Sequence, residues 1–398
     1  MIIGKATQWF CTVFFVVFLS CSAMAQDTQK ANKEYDRHTK TLNSIVLGET
    51  RTVTIQLPKS YHTNSNKTYP VIYRLDGKGN LPLMSTVLER LQKASVSAAP
   101  EVIIVAIENT DRLRDLYPTK NKEPAGPMNM GGGAPKFLEF IETELIPFVN
   151  KEYRTHDFKA IAGASAAGTF VLYALQTKPT LFQGHIAYSP AVWWNFGATA
   201  KSTKAFISKT KQLNNFLFIA IGEEGGVMRE RYEDMAHFLA DNKPVGLRFF
   251  SEAYDNVPHG LVSSAGIFSA YQKLFFPTQM PVRAYNGELS SINEYYQQLS
   301  VQYGEVIEPQ ESTIRGLGYH HVSTGNVKEA IKLFKYGVSR YPHNADAYNG
   351  LAYGYETDKQ YRASLEQVNR AIALSSKDDD GYDVFVARKE RLTKLLGE

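Results

Sequence analysis

The residues of this chain best suited to chemistry are one serine, a pair of glutamates and one histidine, in the order Ser165, Glu223 and Glu224, His259. Ser165 lies in Lys159–Tyr173, KAIAGASAAGTFVLY, between an apolar run ending at Ala162 and a helical pattern beginning at Thr169. A sharp strand-to-helix turn needs small residues, because larger side chains would collide with the neighbouring strand. Such a turn exposes its apical serine hydroxyl at the carboxyl edge of a sheet, which is the nucleophile elbow, G-x-S-x-G in its usual form. Here Ala167 stands at the second glycine and Gly168 follows it.

A serine hydroxyl becomes a strong nucleophile only when a base takes its proton, and imidazole titrates near neutrality. His259, in Tyr254-Asp255-Asn256-Val257-Pro258-His259-Gly260, is the histidine on a loop after the last apolar strand. His156 precedes a strand, His185 lies inside one and His237 falls on a helix. His320 and His321 are adjacent on a helix, point apart and make a poor metal pair. In α/β hydrolases the order is Ser, acid, His, each on a loop at a strand's carboxyl end. Gly222-Glu223-Glu224-Gly225-Gly226 follows the apolar run Phe216–Ile221 and supplies the acid. Glu223 is preferred because it directly follows the strand-ending glycine, with Glu224 as the alternative. The oxyanion donors expected are the N–H of Ala166, after the nucleophile, and that of Lys78 in Leu75-Asp76-Gly77-Lys78-Gly79, with Gly77 second. Trp193 and Trp194 either line an acyl or alcohol pocket or pack beneath their loop. Gly131-Gly132-Gly133 lacks both the Lys-Ser/Thr and the preceding strand of a phosphate loop, and reads as a flexible loop near the cleft.

The elements around these residues alternate. Residues 52–57 alternate as a strand, and apolar runs of strand length occur at 70–75, 102–107, 158–162, 185–188, 216–221 and 247–250. Helical patterns fall between most of them, at 83–91, 134–149, 169–176, 228–241 and 265–274. Continuous apolar strands alternating with helices imply a mostly parallel sheet covered on both faces. The expected domains are an α/β hydrolase unit over 41–276, a connector with one helix over 277–310, and a small all-α unit over 311–398. In the last, Leu317-Gly318, Ala330, Phe334 and Pro342 recur in kind at Leu351-Ala352 and Ala371, a spacing like that of tetratricopeptide units of about 34 residues.

The 398-residue chain has a globular composition and a net charge of +4 without charge blocks, which argues against nucleic-acid binding. Met1–Ala25 has the design of a signal peptide: Lys5, an apolar Val13–Leu19 and an Ala23-Met24-Ala25 cleavage site. That run is too short to span a bilayer. Acylation at Cys21 is the rival reading. The only cysteines are Cys11 and Cys21, so the mature chain would hold no disulfide, thiol nucleophile or cysteine–zinc site. Residues 26–40 read as a loose polar arm.

Several blocks resemble a known family. YPVIYRLDG, NTDRLRDLYPT, GGGAPKFLEFIETELIPFV, GASAAG, AYSPAVWW and PHG together are similar to the bacterial esterase family that includes the enterobactin and salmochelin siderophore esterases, more distantly esterase D. The resemblance covers about 41–276 and implies a Ser165–His259 pair, with the acid carried over less securely. It also puts Arg112 and Arg114 in a segment beside the cleft, where Arg112 would orient substrate. The reading is an exported serine esterase without metal or cofactor, acting on a small ester, with a possible protein partner at the repeat helices. Siderophore lactones, acetylated sugars and simple acyl esters all fit. The alternatives are an acyltransferase on the same fold, or a non-catalytic scaffold using the repeat helices.

Overall fold

The computed structural model describes residues 35–93, 99–124, 126–303, 305–379 and 381–397. The expected signal peptide and Cys21 lie outside these residues. Eight strands form one sheet: β1 (Arg37–Ser44), β2 (Glu49–Gln56), β3 (Tyr69–Arg74), β4 (Ile103–Ile107), β5 (Thr155–Ala164), β6 (Gly184–Tyr188), β7 (Phe216–Ile221) and β8 (Arg248–Ala253). Their spatial order is β1-β2-β4-β3-β5-β6-β7-β8. The first two joins are antiparallel and the rest parallel. Strands β3, β4, β6 and β7 bury every side chain and β5 does so from Ala160 to Gly163, as strands covered on both faces must.

The loose arm expected over 26–40 is corrected from Arg37 onward, where β1 pairs with β2 over its whole length. Its sequence, RHTKTLNS, is polar on both faces because it is an edge strand with little core to cover.

The hydrolase helices are α1 (Leu81–Gln92), α2 (Arg112–Leu116), α3 (Ala134–Phe140), α4 (Ile146–Glu152), α5 (Ala166–Thr177), α6 (Trp194–Lys209), α7 (Gly226–Asp241) and α8 (Val262–Leu274). A π-turn, Ile141–Leu145, joins α3 to α4, so the single expected helix runs on with one wide turn. One face of the sheet is covered by the α3–α5 side, where Phe137, Phe140, Phe170 and Leu172 are buried. On the other face α1 and α8 bring Leu88, Met84, Ile267 and Tyr271 onto Ile72, Ile104 and Ile186.

The segment carrying α2 is fastened to the sheet by charge. Arg51, fully buried, donates to Asp115 Oδ2 at 2.6 Å and to Glu49 at 2.8 Å, and lies over the Phe137 ring. Arg114 completes the network by donating to Glu49 and Asp115. Breaking one partner of such a buried set costs several kcal/mol, about 3–5, because the remaining charge is left unpaired.

After the sheet come α9 (Leu289–Tyr303), α10 (Glu311–Ser323), α11 (Val327–Arg340), α12 (Ala345–Thr357), α13 (Tyr361–Ala373) and α14 (Tyr382–Leu396). The α9 residues Ile292, Tyr296 and Leu299 share one cluster with Leu317 of α10 and Leu333 of α11, so the connector and the terminal helices bury apolar surface together. Gly318 is required by α11: a Cβ there would lie 2.4 Å from the Phe334 ring. Among the described residues no helix is long and apolar enough to cross a membrane.

Candidate active site

Ser165 is the residue between β5 and α5, with φ 58° and ψ −119°. That region is sparsely populated by non-glycine residues and costs about 1–3 kcal/mol. Three backbone hydrogen bonds hold it there: its N–H donates to Tyr188 O at 2.9 Å, and its carbonyl accepts from Thr169 N (3.0 Å) and Ala191 N (3.1 Å). The small residues are explained one by one. A Cβ on Gly163 would lie 2.6 Å from the Cβ, C and O of Ala167, and one on Gly168 would lie 3.0 Å from Pro190 Cα. The Ala167 methyl therefore occupies the space that Gly163 leaves.

The parallel order β5-β6-β7-β8 puts Ser165, Ser189, Glu224 and His259 along one carboxyl edge of the sheet. His259 opens a short 3-10 turn, His259–Leu261, that leads into α8. Its Nδ1 lies 2.6 Å from Glu224 Oε1. The histidine is 43% exposed and the carboxylate side chain 9% exposed, so the pair has a wet and a dry end. It is Glu224, not the preferred Glu223, that meets the imidazole. The reason is local: Glu223 directs its N–H to Val257 O at 2.9 Å and leaves its side chain in solvent. One residue further on, Glu224 turns back so that its Oε2 accepts from Gly222 N at 2.6 Å. Burial pushes the Glu224 carboxyl upward. The Ser189 hydroxyl beside it, His259 and the amides of Glu224 and Gly222 outweigh that and hold it below the usual carboxylate range. The Ser189 hydroxyl itself is buried.

Arg229 was not singled out in the sequence. From the first turns of α7 it donates Nε–H to Glu224 O at 2.7 Å and an Nη–H to Gly222 O, clamping the backbone on both sides of Glu223. Its signal, an arginine shortly after a glycine-rich acidic loop, is common on helices and carries little information alone.

Ala166 is the first residue of α5, so its N–H has no intrahelical acceptor. Lys78 differs from expectation. Its N–H donates to Glu108 Oε1 at 3.2 Å, and Gly77 N–H donates to Ile107 O at 2.8 Å. A carboxylate on that amide opposes a second anion, so Lys78 N–H can serve an oxyanion only when Glu108 releases it. Asp76, at φ 64°, forks onto Arg112 with Nε–Oδ1 2.7 Å and Nη2–Oδ2 3.0 Å, and the same Nη2 lies 3.3 Å from Ala164 O. Arg112 thus ties the β3 loop to the residue before Ser165. Arg114 faces away into the Glu49–Asp115 network.

Of the two tryptophans, Trp194 is removed from any cleft. It is 2% exposed, stacks on Tyr117 at 3.7 Å and 4°, and donates Nε1–H to Thr119 O at 2.9 Å. The Trp193 ring is half-buried, and its carbonyl accepts from Arg231. Gly131 lies on this stack, where a Cβ would be 2.6 Å from Thr119 O, so the glycine run is a packing feature. Among the described residues no group of three or more His, Cys, Asp or Glu could hold a metal ion.

A mostly parallel sheet with a strained serine after a central strand, and an imidazole–carboxylate pair on the loops beside it, defines an α/β hydrolase. Residues 44–230 match the family described as Putative esterase. Over 251 residues the chain is 33% identical to the ferri-bacillibactin esterase BesA of Bacillus subtilis (strain 168), covering 56% of this chain and 86% of BesA. The chain belongs to this esterase family. An IroE-like serine hydrolase from Shewanella oneidensis superposes with TM-score 0.62 at 27% identity, over 75% of this chain and 98% of that one. A protein from Capnocytophaga ochracea DSM 7271, at 17% identity, shares the fold over 90% of this chain and all of its own, with TM-score 0.64. That span carries the likeness into the C-terminal helices.

Proposed function

We propose that this chain is an exported serine esterase that cleaves carboxylic esters through an acyl-enzyme on Ser165. The observation that carries the reading is the strained Ser165 on the same sheet edge as the 2.6 Å His259–Glu224 pair. With Nδ1–H donated to Glu224, the Nε2 lone pair of His259 is the free base. Ser165 Oγ attacks the ester carbonyl carbon while its proton passes to Nε2. The same proton goes to the leaving alcohol oxygen as the C–O bond breaks. Water then attacks the acyl-enzyme carbonyl, giving a proton to Nε2, which passes it to Ser165 Oγ as the bond between the acyl carbon and Oγ breaks and the carboxylic acid leaves. Glu224 stays ionised and stabilises the imidazolium. The N–H of Ala166 supports the oxyanion, joined by Lys78 N–H when Glu108 turns away.

One relative favours an ester of the siderophore class: BesA is named as an esterase of ferri-bacillibactin. The Met1–Ala25 pattern supports export. The helices from Glu311 to Ala373 are read as two tetratricopeptide-like units outside the reacting machinery. The test is a fluorophosphonate probe followed by peptide mass spectrometry. The label should fall on Ser165, and Ser165→Ala should lose both label and hydrolysis of a short-chain nitrophenyl ester. Wild-type turnover by the folded mutant would sink the reading.

A further inference from the structure

Two cavities lie at the opposite, amino-terminal edge of the sheet, away from Ser165. One, about 740 Å³, opens between the start of β8, the end of α8, the end of α1 and the connector before α9. A second, about 430 Å³, lies beneath β5 to β8. Arg248, the first residue of β8, and Phe276 line both. Each volume falls in the range of small-molecule sites, roughly 300–1,000 Å³.

The charge around the larger cavity is one-sided. Arg90, Arg248, Lys273 and Arg283 line it, and no carboxylate does. Lys273 is paired with Glu252 at 2.7 Å, but among the described residues neither Arg90 nor Arg283 has an ion pair. Arg248 is mostly buried and spends two N–H groups on the carbonyls of Lys273 and Leu274 at the end of α8. A helix C-terminus supplies only about half a negative charge, so the guanidinium is incompletely balanced. Burial accordingly pushes its pKa down to about 10. Five of the other lining residues are aromatic, among them Phe276, whose ring centre lies 4.2 Å from the Arg248 guanidinium carbon, and Phe268, which is 46% exposed beside Phe250 and Tyr295.

We propose that this cavity is a second binding site, for a small aromatic carboxylate, with the arene against Phe268 and Phe276 and the carboxylate on Arg248 and Arg283. Guanidinium forks match carboxylates in geometry, and aromatic walls favour a flat apolar body. A neutral ligand would leave the excess cationic charge unanswered. The catalytic edge plays no part in this site.

Titration calorimetry of the full chain with biphenyl-4-carboxylate tests the assignment, with biphenyl-4-carboxamide as the neutral comparison. Saturable one-to-one binding is expected in the wild type and equally in Ser165→Ala, which separates this site from the catalytic edge. The amide should bind at least about tenfold more weakly. Arg283→Ala, an exposed change that leaves the core alone, should weaken the acid by a similar factor. No saturable binding of the acid, equal binding of acid and amide, loss of binding in Ser165→Ala, or full affinity in Arg283→Ala would each overturn the proposal.

Discussion

The methyl of Ala167 and the missing side chain of Gly163 are complementary: a Cβ on Gly163 would stand 2.6 Å from the Ala167 methyl and from its backbone C and O. Gly163→Ala should therefore destabilise the fold by about 1–3 kcal/mol through overpacking. Ala167→Gly should cost about 1–2 kcal/mol, the helix penalty of glycine plus the loss of one buried methyl. The double mutant should recover only part of the loss, because the contacts with Ala167 C and O remain. Denaturant unfolding of the three proteins checks this.

The two glutamates should separate sharply. Glu224→Gln removes the charge beside His259 and should lower turnover towards the ~10⁴-fold loss seen when a triad carboxylate is neutralised in a serine protease. Glu223→Gln, on a solvent-facing side chain, should change turnover little. Steady-state kinetics on a nitrophenyl ester reads both. If neither substitution lowered turnover, the enzyme would work as a Ser165–His259 dyad.

Stability should fall with acid in a way that depends on Glu224. Its carboxyl is held below its ordinary value of 4.5 in the folded state. Its contribution is then complete above that ordinary value and is lost as pH falls through the lowered one. Unfolding measured from neutral to acidic pH should show the wild type losing more stability than Glu224→Gln. Parallel curves for the two proteins would contradict the linkage.

Arg112→Lys should cost turnover without unfolding the protein. Lysine can reach neither the Asp76 fork nor Ala164 O in the same plane, so the β3 loop loses its tie to the elbow. Misplacement of about 1 Å near reacting atoms costs up to ~10²-fold. Turnover should drop about ten- to a hundredfold while the thermal midpoint moves little, as kinetics and a melting curve would show.

The sheet was legible in the sequence because its inner strands are continuous apolar runs between helical patterns, and β7 falls at the expected Phe216–Ile221. β1 was not, since an edge strand with alternating Thr, Lys and Asn carries no apolar stripe. α6 was hidden by left-handed backbone at Asn195, Phe196 and Gly197, which breaks the helical period at its start. At the site, residue types and their order pointed to Ser165 and His259 because each follows a recognisable strand. The choice between Glu223 and Glu224 rests on one backbone turn braced by Arg229 from the next helix, and neighbouring glutamates on a glycine-rich loop do not encode that. The Lys78–Glu108 contact is likewise a cross-loop meeting of residues thirty positions apart.

Ser165 is strained but also pinned. Its N–H reaches β6, and its carbonyl is shared between α5 and the loop after β6. Opening that backbone requires two packed elements to part together, so its amide should exchange with deuterium only through near-global unfolding. The serine proposed as nucleophile is then a stiff part of the scaffold, and the motion of turnover falls to the half-exposed imidazole, the Glu108 carboxylate on Lys78 N–H and the approaching ester.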